Sequence, residues 1–442
     1  MRFSKEECLK FVQENDVRFI RLQFTDIFGR MKNIAITDNQ LPQALEQGVM
    51  FDGSAVPGFA GVETSDMLLL PDPSTFALIP WRPQQGKVAR IICDVKNHDG
   101  SQFAGDPRYI LKRTLQKAQD KGYVFQVGPE CEFFLFHTDD VGQPTTTTHD
   151  SAGYCDLAPI DQGENTRREI CLVLEEMGFE IETSHHESAA GQHEIDFKYT
   201  DALTAADNIM TFKYVVKIIA QRNGLHATFM PKPLQGVNGS GMHINMSLAK
   251  EGVNIFNHPE AQGELSATAK QFIAGLLEHI KGITAIANPL VNSYKRLVAG
   301  YEAPVHIAWS PMNRSPLLRV PSPRGEGARL ELRSPDPSCN PYLTLALLLE
   351  AGLEGLNRGL QVAEPVNINI YNLTSEEEKS LKLDRLPSNL LIALEEMKKD
   401  PLIHSTIGEH IFTKYITAKT QEWRDYDTTV HQWEIDNYLK IY

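Results

Sequence analysis

Apolar residues recur every three or four positions in several stretches of the chain, which is the spacing of an amphipathic helix. This spacing predicts a short helix over residues 3–15, with Ser4 as its N-cap and Glu7 completing a capping box. Another helix is expected to start at Asp106–Pro107 and to stop at Gly122. Further helices are predicted over 165–177, 202–223, 265–281 and 341–361, with a mostly helical pattern from 388 onwards.

Alternating or continuous apolar runs predict strands instead. Turn-forming pieces at 51–54 and 70–73 separate the early runs. The chain therefore divides into a small sheet-rich domain over residues 1–104 and a larger domain over 105–442 that mixes helices and strands, an α+β organisation. The early strands are predicted over 17–24, 31–36 and 87–94.

Carboxylates stand in later segments that are otherwise too apolar for a protein surface. Glu130 and Glu132 lie two residues apart, so they share one face of a strand within 128–136. Glu187 and Glu194 lie close together in a segment with the pattern of a buried strand. A buried carboxylate is costly unless it is paired or bound to a metal ion.

The same pattern occurs again near residue 330. Glu331 alternates with leucines in Arg-Leu-Glu-Leu-Arg, and Arg329 and Arg333 share its face. His243 follows a loop of small residues, Asn-Gly-Ser-Gly-Met. Any one segment fits an exposed salt bridge equally well, but together five glutamates and one histidine favour magnesium or manganese over zinc.

Composition narrows the possible functions. The chain has 442 residues, a net charge of −14 and a pI near 5.5, which argues against binding to nucleic acid or to an anionic membrane. Its six cysteines form no CxxC pair and are expected to be reduced. The charged N-terminus lacks the apolar core of a signal peptide, and no apolar run is long enough to span a bilayer. We therefore expect a cytoplasmic protein.

The chain lacks a P-loop, a dinucleotide-binding glycine motif and a Gly-x-Ser-x-Gly elbow. It does contain many arginines near the carboxylates. Divalent metals combined with arginines are the components of phosphoryl transfer, because both neutralise phosphate charge. These arginines are Arg296, Arg314, Arg319, Arg324, Arg329 and Arg333; in its Gly-rich loop, Arg324 is interpreted as solvated.

Four motifs together resemble bacterial type I glutamine synthetases of the short form, which lacks the insertion typical of adenylylated members. They are Phe-Asp-Gly-Ser at 51–54, Lys-Pro-Leu-Gln-Gly-Val-Asn-Gly-Ser-Gly-Met-His-Ile-Asn-Met-Ser at 232–247, Asn-Ser-Tyr-Lys-Arg-Leu-Val at 292–298 and Asn-Arg-Ser-Pro at 313–316. The resemblance covers essentially the whole chain. It implies a small N-terminal β-grasp-like domain, followed by a large α/β catalytic domain whose curved antiparallel sheet is flanked by helices.

The resemblance implies that ATP drives the ligation of ammonia to L-glutamate through a γ-glutamyl phosphate, with two or more Mg²⁺ or Mn²⁺ ions in each site. One metal ion would be held by Glu132, Glu187 and Glu194, and the second by Glu130, His243 and Glu331. The implied catalytic residues are Asp52, Glu302, Arg314 and Arg333. The implied substrate contacts are Asn238, Gly239, His243, Arg296, Glu302, Arg314, Arg333, Tyr154 and Glu187. The implied nucleotide contacts are Glu182, Phe197, Lys198, Tyr199, Ser247, Arg314, Arg319 and Arg329.

Some of these residues have more specific expectations. Glu302, in Gly-Tyr-Glu-Ala-Pro, is expected to act as a lid over the acyl phosphate. Asp52 is expected to reach a neighbouring subunit's site and help to bind ammonium. Ala55 stands where the family usually has a serine, so a hydroxyl near the ammonium site is lost. His193 is interpreted as structural, and Tyr371 as an ordinary exposed tyrosine.

The resemblance also implies a homo-oligomer, a dodecamer of two stacked six-membered rings with shared active sites, and it admits a nitrogen-regulatory protein as a partner. The aromatic residues of the C-terminal helices are consistent with packing against another subunit. Two alternatives stay open. The chain could join glutamate to a polyamine or another amine, or it could be a non-catalytic ring protein.

Overall fold

The computed structural model describes residues 3–82, 85–258, 264–322, 325–381 and 383–442. Arg324, one of the arginines of the sequence analysis, lies outside these residues. The helices are α1 (Lys5–Glu14), α2 (Leu41–Gln47), α3 (Pro107–Gln119), α4 (Glu164–Glu176), α5 (Ala202–Arg222), α6 (Ala267–Ala287), α7 (Ser293–Arg296), α8 (Pro341–Arg358), α9 (Ser375–Ser380), α10 (Leu390–Lys399), α11 (Pro401–Asp427, interrupted at Gly408) and α12 (Gln432–Tyr438).

The strands form two large sheets and one short pair. They are β1 (Val17–Thr25), β2 (Met31–Thr37), β3 (Val49–Asp52), β4 (Asp66–Leu78), β5 (Lys87–Asn97), β6 (Tyr123–Thr138), β7 (Pro144–Thr148), β8 (Ile181–His186), β9 (Gln192–Phe197), β10 (Thr200–Asp201), β11 (Leu225–Thr228), β12 (Met242–Lys250), β13 (Val253–Asn254), β14 (His306–Ile307), β15 (Trp309–Pro311), β16 (Leu318–Val320), β17 (Leu330–Leu332) and β18 (Asp384–Arg385).

The first sheet has the order β2-β1-β5-β4-β3, and β1 and β5 are its parallel pair. Helices α1 and α2 pack against it. The predicted capping box is confirmed, since Ser4 Oγ accepts from Glu7 N while Glu7 Oε2 accepts from Ser4 N.

The predicted turn at 70–73 is wrong, because these residues continue β4 and pair with β5. The register then shifts between Asp72 and Ala77. Two side chains stabilise the irregular residues between them: Asp72 Oδ1 accepts from Ser74 N, and Thr75 Oγ1 accepts the backbone N–H of Ile92. A bulge lets a strand carry prolines that cannot donate to the ladder.

The second sheet has the order β15-β16-β17-β12-β6-β9-β8, and further short strands extend β6 and β12. The long strand β6 lies in its middle. Helix α5 packs on β6 and β11, and α8 packs against α3, α5 and α6. Leu343, Leu345 and Leu347 of α8 are fully buried, so this helix is the centre of the larger core. The sheet therefore has a helical layer behind it and its other face available for chemistry.

The helix predictions are largely confirmed, with differences at the ends. Asp106 Oδ1 accepts from Arg108 N and caps α3, as expected for an Asp-Pro start. Helix α6 continues to Ala287, beyond the predicted end at 281, because its apolar face continues to that residue. Helix α8 ends at Arg358, where Gly359 adopts a left-handed conformation.

A buried ion-pair network joins the two sheets. Arg108 of α3 is 3% exposed and donates to Asp72 and Asp94 of the first sheet at 2.9 and 2.7 Å. It also donates to Asp207 of α5 at 2.9 and 3.0 Å. The strands of the first sheet all precede residue 98, whereas those of the second follow residue 122. The domain boundary at 104/105 stays a prediction.

Within the described ranges, no helix combines the length and the apolar character that crossing a membrane requires.

Candidate active site

The register of β6 brings its two glutamates into two different clusters. Glu130 lies opposite His243 of β12, whereas Glu132 lies opposite Glu194 of β9. His243 Nδ1 donates to Glu130 Oε2 at 3.2 Å. Burial opposes ionisation of Glu130, but this hydrogen bond lowers the pKa of its carboxyl to about 2.

Glu331 of β17 completes the first cluster with Glu130 and His243, and one ligand atom from each lies within 4.8 Å of the others. Its carboxylate is 3% exposed and accepts from Arg319 Nη1 at 2.6 Å. Arg333 Nη1 lies 3.7 Å from the other carboxylate oxygen. Two carboxylates and an imidazole in this arrangement offer the oxygen-rich ligand set that magnesium or manganese prefers.

The second cluster contains Glu132, Glu187 and Glu194. Burial, followed by the charge of Glu187, raises the pKa of Glu132 to about 7. Burial and the neighbouring carboxylates, Asp196 first, also raise the pKa of Glu194 well above its usual value. The charges of His243 and Arg296 lower the pKa of Glu132, but burial and Glu187 outweigh them, and a bound divalent cation would relieve the repulsion among these carboxylates. The residues therefore fit the metal site that the sequence implied.

Sequence reasoning assigned no role to His185, but the structure places it in this second cluster. One ligand atom each from His185, Glu187 and Glu194 lies within 4.8 Å of the others, and His185 Nε2 lies 2.9 Å from Glu187 Oε1. The ring of Tyr154 stands edge-on to the imidazole, with the centroids 5.4 Å apart. In the structure His185 of β8 pairs in register with Glu194 of β9. The signal in the sequence was the spacing of His185, which lies two residues before Glu187.

Both clusters open into one cavity of about 900 Å³. Its lining brings together all the residues predicted to hold metals and all those predicted to contact the substrate. They are Glu130, Glu132, Tyr154, Glu187, Glu194, Asn238, Gly239, His243, Arg296, Glu302, Arg314, Glu331 and Arg333.

Arg296 and Arg333 form the cationic side of this cavity. Arg296 is 2% exposed, and its guanidinium donates to the backbone carbonyls of Ser334, Pro335 and Arg333 at 2.7 to 3.3 Å. Gly241 makes this possible, because a Cβ there would lie 2.5 Å from Arg296 Nη2. Among the residues that the structure describes, this guanidinium bonds to backbone carbonyls and not to a carboxylate, so its charge is left for a ligand.

Glu302 lies in an exposed turn over the cavity, with a positive φ of 56°. Its side chain accepts from Asn238 Nδ2 at 2.8 Å, and its carbonyl accepts from Arg333 Nη2 at 3.4 Å. Lys232 Nζ lies 3.9 Å from the centre of the neighbouring Tyr301 ring. These contacts hold the turn against the cavity wall.

A smaller cavity of about 280 Å³ adjoins the first and shares Glu130, Thr183 and Asp196 with it. Arg314 and Arg319 line the larger cavity instead. Lys198 lies outside both linings, and its Nζ pairs with Glu180 on the surface at 2.6 Å. The predicted nucleotide contacts that line the smaller cavity are Glu182, Phe197, Tyr199, Ser247 and Arg329.

Polar residues that the sequence analysis left without a role organise the boundary between the two cavities. Asn245 donates to Glu130 at 2.8 Å and accepts from Arg329 Nε at 2.9 Å, so it connects the two cavities. Asp196 is half-buried, accepts from Thr183 Oγ1, and has a pKa raised chiefly by burial. An amide such as that of Asn245 carries no periodic sequence signal, which explains why this residue was missed.

Asp52 and Ala55 do not line either cavity of their own chain. Asp52 is exposed in the first domain, and its carboxylate accepts from Ser54 N at 2.9 Å and from Ser54 Oγ at 2.6 Å. These hydrogen bonds lower the pKa of Asp52, so the side chain is an anion. Its predicted role in a neighbouring subunit's site stays a prediction.

The interpretation of Tyr371 as an ordinary exposed tyrosine is wrong. The residue is half-buried and lines the larger cavity. Its hydroxyl is buried, and no described residue forms a hydrogen bond with it. Burial raises the pKa of this phenol, while the charges of Arg333 and Arg296 lower it. His193, by contrast, is fully buried behind the cavity, in agreement with its structural interpretation.

Comparison with known proteins agrees with this geometry. The family described as "Glutamine synthetase, catalytic domain" matches residues 104–438, and "Glutamine synthetase, beta-Grasp domain" matches residues 16–98. The chain belongs to the glutamine synthetase family. The resemblance drawn from the four motifs is thereby confirmed, as is the fold, a β-grasp sheet followed by a large mixed α/β domain.

Relatives match over their whole length. A glutamine synthetase of Clostridium saccharobutylicum is 59% identical over 441 residues, and one of Thermus thermophilus is 55% identical over 446 residues; each comparison covers 100% of both chains. A solved structure named "GmaS/ADP complex-Conformation 1" is 32% identical, has a TM-score of 0.89 and covers 98% of this chain and 99% of that chain. The cryo-EM structure of Plasmodium falciparum glutamine synthetase is 26% identical and has a TM-score of 0.88, with 99% of each chain covered.

Proposed function

We propose that this protein is a glutamate–ammonia ligase, which converts L-glutamate, ammonia and ATP into L-glutamine, ADP and phosphate through a γ-glutamyl phosphate. One observation carries the proposal. Two separate carboxylate clusters and two buried arginines face a single cavity, and a second cavity adjoins the cluster that contains Glu130. Family membership and the full-length relatives named glutamine synthetase support the same reaction.

Each carboxylate cluster would hold one divalent cation, Mg²⁺ or Mn²⁺. When bound, the cations neutralise charge on the transferring phosphoryl group and on the acyl phosphate. The cluster of Glu130, His243 and Glu331 adjoins the smaller cavity, so it is suited to the ATP phosphates. The cluster of Glu132, Glu187 and Glu194 is suited to the glutamate side of the reaction.

The arginines would bind and orient the two anionic substrates. Arg333 and Arg319 flank Glu331. In the proposed reaction the γ-phosphoryl group passes this point on its way from ATP in the smaller cavity to glutamate in the larger one. Arg329 lines the smaller cavity, and Arg314 is exposed at the wall of the larger one. A guanidinium whose position is already fixed stabilises developing negative charge without reorganising, which is the usual advantage of a preorganised site.

Glu302 and Asn238 would close the site over the glutamate. With the turn held by its contacts to Asn238 and Arg333, water has less access to the acyl phosphate, and ammonia reaches it first. Glu302 would also take the proton that ammonium must lose before it attacks. Ammonium itself would bind near Glu187 and Tyr154, with Asp52 supplied by the neighbouring subunit.

This role for Asp52 requires a homo-oligomer, and we propose a dodecamer of two stacked hexameric rings in the cytoplasm. The exposed apolar side chains near the C-terminus, including Trp433, Leu439 and Ile441, are consistent with burial against another subunit. We propose a nitrogen-regulatory protein as an additional partner of this assembly.

The test is ADP release from ATP and glutamate, measured with and without ammonia, together with the yield of glutamine. The proposal expects ADP release to require glutamate and to match glutamine formation once ammonia is present. ADP release that is independent of glutamate, or no ADP release at all at saturating Mg²⁺, would refute the proposed function. The second of these results would favour the non-catalytic ring protein.

A related amine ligase is the second candidate, and Ala55 favours it, because a hydroxyl expected near the ammonium site is missing. The same assay with putrescine in place of ammonia separates the two. A larger kcat/KM for putrescine than for ammonia would assign the chain to amine ligation, and the reverse would assign it to glutamine synthesis.

A further inference from the structure

We propose that Asp150, acting through His186, is a positioning residue that sets the metal affinity of the Glu132, Glu187 and Glu194 cluster. The inference rests on the proposed function, because it concerns the metal site assigned there. Asp150 and His186 lie behind that cluster, and each side chain is 0% exposed. Neither belongs to the described lining of the two cavities, so neither is available to touch substrate.

The Asp150 carboxylate gathers three separate pieces of chain. Its Oδ1 accepts from Gly191 N at 2.9 Å and from His186 Nε2 at 3.1 Å, and its Oδ2 accepts from Gln162 N at 3.2 Å. His149 Nε2 also lies 3.0 Å from Oδ2. Burial alone would raise the pKa of Asp150, but its contacts with His149 and His186 hold the pKa well below the usual value. The carboxylate is therefore an anion that fixes this region.

His186 carries the effect of Asp150 to the metal cluster. Its Nδ1 lies 2.7 Å from the carbonyl oxygen of Glu187, and its Nε2 lies 3.1 Å from Asp150. Both neighbours accept hydrogen bonds, so the ring bridges the Asp150 carboxylate and the Glu187 peptide. Because Asp150 holds one edge of this ring, the position of the other edge against the Glu187 peptide depends on Asp150.

The same carboxylate also fixes the other end of the turn after β8. Glu187 N donates to the carbonyl of Gln192 at 2.8 Å and closes the turn, while Asp150 holds Gly191 beside it. The Gln192 side chain then donates to Glu132 Oε2 at 2.8 Å. Asp150 thus fixes the backbone that presents Glu187 and, through Gln192, the orientation of Glu132.

His149, Asp150 and His193 form a buried group behind the cavity and lie close enough together to hold a metal ion. This group does not have the other features of a metal site. Arg167 Nη1 donates to His193 Nδ1 at 2.9 Å, which places a cation against one candidate ligand atom. Gly163 approaches both rings closely, because a Cβ there would lie 2.8 Å from Nε2 of both His149 and His193. A positioning role therefore explains the cluster better.

The experiment measures Mn²⁺ binding to the full-length assembled protein by electron paramagnetic resonance. Glu194→Gln and Glu331→Gln identify the two classes of bound Mn²⁺, since each removes one ligand of one class. Asp150→Asn keeps the size of the side chain but leaves only one of the two acceptor oxygens that hold His186, Gly191 and Gln162. We expect about 10- to 100-fold weaker binding of the class lost in Glu194→Gln, as for other partners of metal ligands, with the second class unchanged.

Two isosteric changes of His186 test the route of the effect. The amide of His186→Gln can replace Nε2 and keep the bond to Asp150, whereas the amide of His186→Asn can replace Nδ1 and keep the bond to Glu187. Both should weaken the same class of Mn²⁺. In the His186→Gln background, Asp150→Asn should weaken binding by a smaller factor than in the wild-type background, since coupled residues are not additive and only the route through Gly191 remains to be lost.

Asp207→Asn is the matched control, because Asp207 is another buried carboxylate that accepts from Arg108 and from the Tyr342 hydroxyl at the domain junction. This change should leave the Mn²⁺ affinity of both classes within about twofold of wild type, as expected for a site that shares no partner with the cluster. Unchanged Mn²⁺ affinity in Asp150→Asn, or equal loss of affinity in both classes, would overturn this inference and leave the proposed metal sites standing. If Asp150→Asn does not fold, unchanged binding in both His186 variants overturns it. A wild-type protein without two Mn²⁺ classes would overturn the proposed metal sites as well.

Discussion

Replacing Glu331 by glutamine tests the metal assignment at its most enclosed ligand. The carboxylate is 3% exposed, accepts from Arg319 at 2.6 Å and lies 3.7 Å from Arg333 Nη1. Glutamine preserves the size of the side chain and one acceptor oxygen, but it removes the charge. The change therefore leaves two guanidinium groups facing a neutral amide, and it removes one of three ligands from the cluster of Glu130 and His243.

A surface ion pair with the same N···O distance shows how strongly burial affects the stability that is lost when an ion pair is broken. Glu180 and Lys198 are also 2.6 Å apart, but their side chains are 68% and 47% exposed. Such a pair contributes less than about 1 kcal/mol, whereas breaking a fully buried pair costs about 3–5 kcal/mol. Arg319 is 19% exposed, and the amide still accepts one hydrogen bond. We therefore expect Glu331→Gln to lower the free energy of unfolding by about 1–3 kcal/mol.

The effect on activity should be larger than the effect on folding. Loss of a residue that only supports a metal ligand lowers activity about 10- to 100-fold, so loss of a ligand should lower kcat/KM by more than about 100-fold. ADP release is measured across a Mg²⁺ titration, and unfolding by denaturant at one fixed protein concentration, because oligomers unfold in a concentration-dependent way. Glu180→Gln is the control and should match wild type in both assays.

Two results would refute this reasoning. If kcat/KM of Glu331→Gln at saturating Mg²⁺ stayed within about tenfold of wild type, Glu331 would not be a ligand, since even an indirect partner costs that much. If Glu331→Gln and Glu180→Gln lost the same stability, burial would not determine the value of these ion pairs.

Three further predictions follow from the same structure. Glu302→Ala should keep glutamate-dependent ADP release but yield less glutamine per ADP, because water reaches the acyl phosphate; tight coupling of the two products would refute the lid. Asp52→Ala and Glu331→Ala should each be inactive, yet co-refolded mixed oligomers should regain activity; no gain above the parents would refute shared sites. Burial, with the charge of Asp94, raises the pKa of Asp106 to about 7, so the protonated side chain stabilises the fold at low pH and this contribution is lost as the pH rises towards 7. The free energy of unfolding, measured with denaturant across this pH range, should therefore fall more steeply in wild type than in Asp106→Asn. Equal pH dependence in the two proteins would contradict the prediction.

The helices could be predicted from the sequence because their signals are local. Ser4, Asp106 and Asn340 each accept a hydrogen bond from a backbone N–H in the first turn of the helix that follows. The turn predicted at 70–73 failed for the opposite reason. Pairing with β5 and a bulge at Asp72 accommodate the prolines, and neither is visible in a local window.

The carboxylates that line the larger cavity could be predicted because an apolar run makes each of them conspicuous. Tyr371 could not, because distant residues determine its position. Asn313 Nδ2 donates to the carbonyl of Ile368 at 2.7 Å, and Ser315 Oγ accepts from Ile370 N at 3.1 Å. These bonds cross more than 50 residues of sequence and turn the segment towards the cavity. The segment itself has no periodic pattern that would show it.

The separation of the two clusters follows from the register of β6. Glu130 and Glu132 share one face of this strand, but β12 pairs with the first and β9 with the second, on opposite sides. The partners His243 and Glu194 are therefore two strand spacings apart, about 9–10 Å across the sheet. A slip of one residue would turn both glutamates to the helical face and destroy both clusters together. Phe125, Val127 and Cys131 are buried on the helical face and alternate with less buried residues, so they oppose such a slip, and residues that build the core also set the distance between the two proposed metal sites.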